Sequence, residues 1–318
     1  MQYDPYSEKL KTAVFDIETT GLSSANDSII SASFCNEDST DLRQYFCDDP
    51  SSEYLLITKI FEEFRSLDAI ITYNGERFDV PFVLARAKKY GIENDCPYVW
   101  NIDIYKILKQ YWLAGKMLPS LSQTSVEKAL GLSFSRTDQI DGGECIKLYN
   151  SFLARGNEDA KEKILLHNGD DVRQLARISS SLSFIPFHKV RYENGYLLTV
   201  KREMDERDIA ILVDGVYETV NKFTINAKTV QGMMPMSIFE DYFSLEYDSF
   251  SGASRLEIFP KELEDYLYVD LTKLPVNIDD FKSLDGFASN YLIIKQGNEI
   301  KYKEFNTLTS YIISKIVI

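Results

Sequence analysis

Across residues 12–74 the chain passes through short stretches dense in β-branched and aromatic residues, TAVFDIE, SIISASF, LRQYF and AIITYN, separated by polar turn clusters. Runs this short, bounded in this way, read as strands. One stretch between them has another period. SSEYLLITKIFEEFRSL spaces Leu55, Ile60, Phe61 and Phe64 broadly as a helix does, with Ser51 and Ser52 as candidate caps. Three strands, a helix and a fourth strand make an α/β start. More helices are expected at 80–90, 104–112, 122–130 and 160–183, the first three followed by Gly91, Gly115 and Gly131.

Past residue 183 the pattern changes. The candidate strands GYLLTVKR, AILVDGVYETV and SNYLIIKQ alternate with turn signals at Glu193-Asn194-Gly195, Asp214-Gly215 and Gly297-Asn298. A domain boundary is therefore expected near 184, dividing the chain into 1–183 and a smaller β-rich α+β domain at 184–318. An amphipathic helix is expected at 305–317, and no internal repeat is visible.

A chain of 318 residues, 44% hydrophobic and 26% charged, is globular rather than disordered or fibrous. MQYDPYSEKL has no apolar core of a signal peptide, and no run approaches the roughly 20 apolar residues of a membrane span. The expectation is a cytoplasmic protein with no membrane partner. Cys35, Cys47, Cys96 and Cys145 are scattered without a CxxC pair, which suits reduced thiols and argues against a structural zinc site. The net charge of −14 argues against a module that grips duplex DNA without catalysis. It does not exclude carboxylates that bind metal, because they are part of the negative count.

Three short motifs carry the chemistry. In Phe15-Asp16-Ile17-Glu18-Thr19-Thr20-Gly21 the strand period of two turns Asp16 and Glu18 to one face, where they can share metal ions. A solvated strand end is the bland alternative. Asn74-Gly75-Glu76-Arg77-Phe78-Asp79-Val80-Pro81 joins a strand to a helix, and Asp79 reads either as a ligand or as the N-cap. In His167-Asn168-Gly169-Asp170-Asp171-Val172, helical phase sets Asp171 on the apolar stripe of Ile164, Leu175 and Ile178 with His167 one turn back. Asp170 falls with Lys163, Gln174 and Arg177 on the expected polar side. A carboxylate on the apolar stripe needs a metal or a cation such as Arg86 or Arg173.

In this order the motifs resemble those of the DEDD, DnaQ-like, 3′-5′ exonuclease superfamily of the ribonuclease-H-like fold. FDIETTGL, YNGERFDVPF, LPSLSQTSVEKALGL and HNGDDVRQL resemble more narrowly the bacterial YprB-type ribonuclease-H-like domain, over roughly residues 10–183. The resemblance implies a mixed five-stranded sheet flanked by helices. It implies a metal-dependent exonuclease of single-stranded DNA or RNA, with Asp16, Glu18, Asp79 and Asp171 holding two divalent cations, Mg²⁺ or Mn²⁺. His167, with Glu18, takes the catalytic position, although four residues before the last Asp is the spacing of family members with tyrosine there. Thr19, Asn74 and Lys116 take substrate-contact positions. Lys88, Lys89, Lys106, Lys109 and Lys116, with Tyr105, Tyr111 and Trp112, could meet a single strand or simply form solvated faces. The competing expectation is a catalytically silent scaffold whose C-terminal domain binds a protein partner.

Overall fold

Strand β1 (Thr12–Thr19) forms the centre of the first sheet because its two faces are both apolar enough to be covered. The computed structural model describes residues 10–36, 38–133, 136–137, 140–202, 208–220, 222–229 and 234–315. β1 pairs antiparallel with β2 (Ile29–Cys35), which pairs antiparallel with β3 (Leu42–Phe46). On its other side β1 pairs parallel with β4 (Ala69–Thr72), and β4 with β5 (Trp100–Asp103). The order β3-β2-β1-β4-β5 is the mixed five-stranded sheet implied by the resemblance. The fifth strand, WNID, is too short and too polar to stand out in the sequence.

Helices cover both faces. α1 (Glu53–Arg65) and α2 (Asp79–Lys89) pack Ile57, Phe61, Phe64 and Phe82 against Phe15, Ile17 and Phe34. α3 (Ile104–Tyr111) and α4 (Gln123–Ala129) follow, the latter capped by the Ser122 side chain at Ser125 N. α5 (Gly142–Arg155) and α6 (Glu158–Ser180) build a second core of Cys145, Tyr149, Phe152 and Ile164 around Ile30. α5 was not expected. Its Gly142-Gly143 start reads as a turn, yet Asp141 accepts from Glu144 N and caps the helix. Ser52, expected as a cap of α1, makes no side-chain capping bond; Asp49 instead caps the short 3₁₀ turn before it.

The phase expected for α6 needs correction. Asp170 and Gln174 are buried, at 3% and 0% exposure, whereas the helix was expected to show a polar side there. Asp170 accepts from Thr137 N at 2.6 Å and Thr137 Oγ1 at 2.8 Å, so the chain around 137 covers that side. A solitary helix would solvate it.

The chain divides into two compact units at Ile185–Pro186. The second begins with α7 (Phe187–Asn194), so Glu193-Asn194-Gly195 is a helix C-terminus and not a hairpin turn; Gly195 takes φ 81°. A six-stranded antiparallel sheet follows, built from β6 (Tyr196–Lys201), β7 (Asp208–Glu218), β8 (Phe223–Thr229), β9 (Met236–Phe239), β10 (Phe243–Asp248) and β11 (Ala253–Ile258). Asp214-Gly215, expected as a turn, is a bulge inside β7, where the register shifts between Val213 and Val216. A Cβ on Gly215 would lie 2.3 Å from the Glu193 carbonyl oxygen, so only glycine fits. A smaller sheet holds β12 (Lys261–Leu263), β13 (Tyr266–Asp270), β14 (Phe287–Ala288), β15 (Tyr291–Gln296) and β16 (Glu299–Ile300). The expected last helix is α8 (Tyr302–Ser314), burying Phe305, Leu308 and Ile312.

One ion pair ties α1, α2 and β2 together. Arg86 and Glu53 are both fully buried, Nη2 to Oε2 2.5 Å, and Glu53 also accepts from Ile29 N and the Tyr90 hydroxyl. Removing one partner strands the other charge in the interior. Glu53→Ala is expected to cost about 3–5 kcal/mol, read as a lower denaturant midpoint at unchanged slope.

Candidate active site

Asp16 and Glu18 turn to the α5 and α6 face of the sheet, while their neighbours Phe15 and Ile17 enter the opposite core. α6 crosses β1, β2 and β3 and delivers His167 and Asp171 from successive turns. Carboxylate oxygens of Asp16, Glu18 and Asp171 lie within 4.8 Å of one another. His167 Nε2 stands 3.6 Å from Glu18 Oε1 and 3.6 Å from Asp171 Oδ2.

The close approach of α6 depends on Gly169 and Asn168. A Cβ at Gly169 would sit 3.2 Å from Gln44 Nε2 and from Leu42 Cδ2, a crowded contact with β3. The Asn168 amide is wholly buried; its Nδ2 donates to Asp16 Oδ2 at 2.7 Å, and its Oδ1 accepts from Ser31 and Ser33 hydroxyls at 2.9 and 2.6 Å. Asn168 therefore fixes the Asp16 rotamer and the helix position with one side chain.

Asp79 is not an N-cap. It is the first residue of α2, behind Phe78, and its Oδ1 accepts from Ile17 N at 3.3 Å. That bond holds it against β1, outside the three-carboxylate group. Its loop begins at Asn74, which takes the left-handed φ of 64°. Asp103 fixes the loop by accepting from Asn74 N at 2.9 Å and Glu76 N at 3.1 Å, while capping α3 at Lys106 N.

Asn74, Arg77, Asp103, Tyr105, Lys106 and Lys109 line a cleft of about 400 Å³. Lys106 pairs with Glu76 at 2.8 Å, and Lys109 lies over the Tyr105 ring. Lys116 is exposed on the short turn Ala114–Met117, away from this lining. Thr19 is buried and donates to the Gly21 carbonyl at 2.7 Å, so its hydroxyl shapes the turn after β1.

Crowding these acids in a low-dielectric interior favours their neutral forms. Burial pushes Asp16 well above the usual range, and Asp79, Asp171 and Glu18 push further, against the Asn168 bond. Burial raises Glu18 to about 7, with His167 opposing and Asp171 and Asp79 adding. Burial raises Asp79 to about 7, against backbone N–H donors at Ile17 and its own residue. A cation relieves all three at once, and hard oxygen donors suit a divalent ion. Arg136 supplies one positive charge, with Nη2 2.6 Å from Asp171 Oδ1 and 2.7 Å from Glu127 Oε1. The expected cation partner Arg86 is taken by Glu53, and Arg173 lies nearer Asp170, at 3.8 Å.

Four residues of this neighbourhood escaped the sequence reading: Asn168, Asp103, Arg136 and Cys145. Asn168 had a signal, its place inside HNGDD, and Asp103 had one as a cap between strand and helix. Arg136 and Cys145 had none, because both arrive by tertiary packing.

A family model of the RNase H superfamily matches residues 13–183, more than half of the chain. The chain belongs to the RNase H superfamily. Within it, a stretch of 95 residues is 39% identical to a DNA polymerase of Methanocaldococcus jannaschii, covering 27% of this chain and 6% of that protein. A 97-residue stretch is 35% identical to a DNA polymerase of Pyrococcus glycovorans, covering 27% and 12%. The chain thus spans a small fraction of the curated relatives it matches. Among solved structures, a family B DNA polymerase from Pyrobaculum calidifontis aligns with 76% of this chain and 34% of its own, at 14% identity and TM-score 0.43. An exonuclease I from Methylocaldum szegediense aligns with 94% and 67%, at 12% identity and TM-score 0.39. Among the described residues no helix is long and apolar enough to cross a membrane.

The raised acids carry a pH signature. Folded Glu18 and Asp79 hold protons that the unfolded chain releases near 4, so metal-free stability falls as pH rises from there to about 7. Glu18→Gln removes its share of this loss. It is expected to raise metal-free stability at pH 8 by on the order of 1–3 kcal/mol, read as a higher melting temperature, and to do little at pH 4; equal effects at both pH values would contradict the assignment.

Proposed function

We propose that this protein is a metal-dependent 3′-5′ exonuclease acting on single-stranded DNA or RNA. The observation that carries the reading is the meeting of Asp16, Glu18 and Asp171 oxygens within 4.8 Å, with His167 beside two of them. Local identity to archaeal DNA polymerases supports nucleic acid as the substrate class.

Asp16, Glu18 and Asp171 are the groups that would hold two divalent cations, Mg²⁺ or Mn²⁺, with Asp79 joining by giving up its Ile17 bond. Ions held there would supply Lewis acidity for activating a water and for stabilising the leaving 3′-oxygen of an in-line displacement. His167 Nε2, 3.6 Å from both Glu18 Oε1 and Asp171 Oδ2, is the group that would accept a proton from a water held there. Asn168 keeps Asp16 in its ligating rotamer. Arg136 must release Asp171 as substrate and cations enter. Arg77, Lys106 and Lys109 contact backbone phosphates in the neighbouring cleft, and Tyr105 offers a stacking face. The left-handed Asn74 turn and the exposed Lys116 would be further substrate contacts, while Thr19, its hydroxyl taken by the Gly21 carbonyl, would take part through the turn that it shapes. The product is a nucleoside 5′-monophosphate. The second unit would serve as a handle for substrate or a protein partner, and the four free cysteines suit a reducing cytoplasm.

A catalytically silent scaffold is the competing reading, and the Arg136 ion pair on Asp171 is the observation in its favour. End-labelled DNA and RNA oligonucleotides, incubated with Mg²⁺, Mn²⁺ or EDTA, separate the two. Stepwise shortening from the 3′ end, abolished by EDTA, is expected. Asp16→Asn and Asp171→Asn are each expected to lower the rate on the order of 10³-fold, while Asp170→Asn, whose acid faces Thr137, retains activity. Metal-independent degradation would overturn the metal-dependent reading, and absent degradation would leave the scaffold reading standing.

A further inference from the structure

Cys145 occupies an unusual place for a buried thiol. It is the fourth residue of α5, fully buried, and its thiol donates to Glu18. Glu18, Cys145 and His167 offer a carboxylate oxygen, a sulfur and an imidazole nitrogen that all lie within 4.8 Å of one another, and all three residues are buried. They come from β1, α5 and α6, three elements of one packed core, so the trio is positioned by the fold.

We propose that Glu18, Cys145 and His167 form a binding site for a thiophilic divalent cation of the zinc class, distinct in donor set from the all-carboxylate group but sharing Glu18 with it. Hard cations such as Mg²⁺ take oxygen ligands and gain little from sulfur, whereas Zn²⁺ favours thiolate and imidazole. With zinc bonds of about 2.0 Å to nitrogen and oxygen, tetrahedral ligands stand about 3.3 Å apart. The 3.6 Å from His167 Nε2 to Glu18 Oε1 is close to that spacing. Sulfur bonds are longer, about 2.3 Å, and the Cys145 sulfur lies within 4.8 Å of the other two donors, so three protein ligands are at hand and a fourth position is left for water. On binding, the Cys145 thiol proton is released to solvent and a sulfur–metal bond replaces it; no electron is transferred. His167 likewise turns its Nε2 lone pair to the metal.

The consequence rests on the exonuclease reading. A zinc-class ion seated here takes Glu18 and His167 out of service, so it inhibits Mg²⁺- or Mn²⁺-supported hydrolysis by competing for Glu18. The site then makes the enzyme sensitive to the balance of soft and hard cations.

Binding is tested first without any nuclease assay, by titrating the full metal-free chain with Co²⁺ as a spectroscopic substitute for zinc. A thiolate-to-cobalt charge-transfer band in the near ultraviolet is expected, displaced by added Zn²⁺. Cys145→Ser abolishes the band, and Cys35→Ser, whose thiol lies elsewhere, retains it. His167→Gln is the second variant; it keeps the thiol and is expected to weaken Co²⁺ affinity about tenfold or more. Absence of the band in the wild type, or its persistence in Cys145→Ser, overturns the site. The second arm measures Zn²⁺ inhibition of oligonucleotide degradation at fixed Mn²⁺. Inhibition relieved by excess Mn²⁺ is expected, with a tenfold or greater loss of zinc potency in Cys145→Ser; equal potency in both proteins overturns the competition. A cobalt band in a chain without nuclease activity would sink the exonuclease reading and leave the metal site intact.

Discussion

Everything in the first unit is arranged around acids that repel one another in a place water scarcely reaches. Asp16, Glu18 and Asp79 are each pushed toward neutrality by burial and by their neighbours. Such a cluster persists only if the surrounding structure over-determines it. The supports are visible one by one: the neutral Asn168 amide on Asp16, the Ile17 N–H on Asp79, and the Arg136 guanidinium cation on Asp171. Each offsets part of the desolvation cost, and a bound cation would offset the remainder.

The supports also explain the shape of α6. A helix bearing His167, Asn168, Gly169, Asp170 and Asp171 in a row is a poor amphipathic helix, yet most of these residues are buried. Gly169 lets the backbone approach β3, Asn168 fills the gap with hydrogen bonds to Ser31 and Ser33, and Asp170 is satisfied by Thr137. Stability lost to polar burial is recovered in the cores on either face of the sheet, where Phe64 packs edge to face against Phe15 and Phe34 and where Tyr149 and Phe152 meet Phe46. The fold thereby holds a site that it would not stabilise on its own account.

Cys145 extends this picture. A thiol that donates to Glu18 from within the α5 core joins two chemistries at one carboxylate: oxygen ligands on the Asp16 and Asp171 side, sulfur and nitrogen on the other. Which cation would occupy Glu18 is then a matter of ligand softness as well as of concentration.

Much of the frame was legible in the residues. The four strands TAVFDIE, SIISASF, LRQYF and AIITYN, the helix after Ser52 and the shared face of Asp16 and Glu18 follow from local periodicity, which depends only on backbone geometry. The apolar stripe of α6 favours Asp171 over Asp170 for the site, yet Asp170 is the more buried of the two, because a chain segment distant in sequence covers its side. Asp214-Gly215 carried the local signature of a turn and became a bulge, since the partner strand and the Glu193 carbonyl decide what backbone fits there. By itself, then, the sequence determined most elements of the first unit, their order and the acids that could share a metal. The tertiary structure alone decided that Asp79 leans on Ile17, that Arg136 reaches Asp171 and that Cys145 meets Glu18 and His167. Those contacts join residues tens to more than a hundred positions apart, and no local pattern encodes the distance between them.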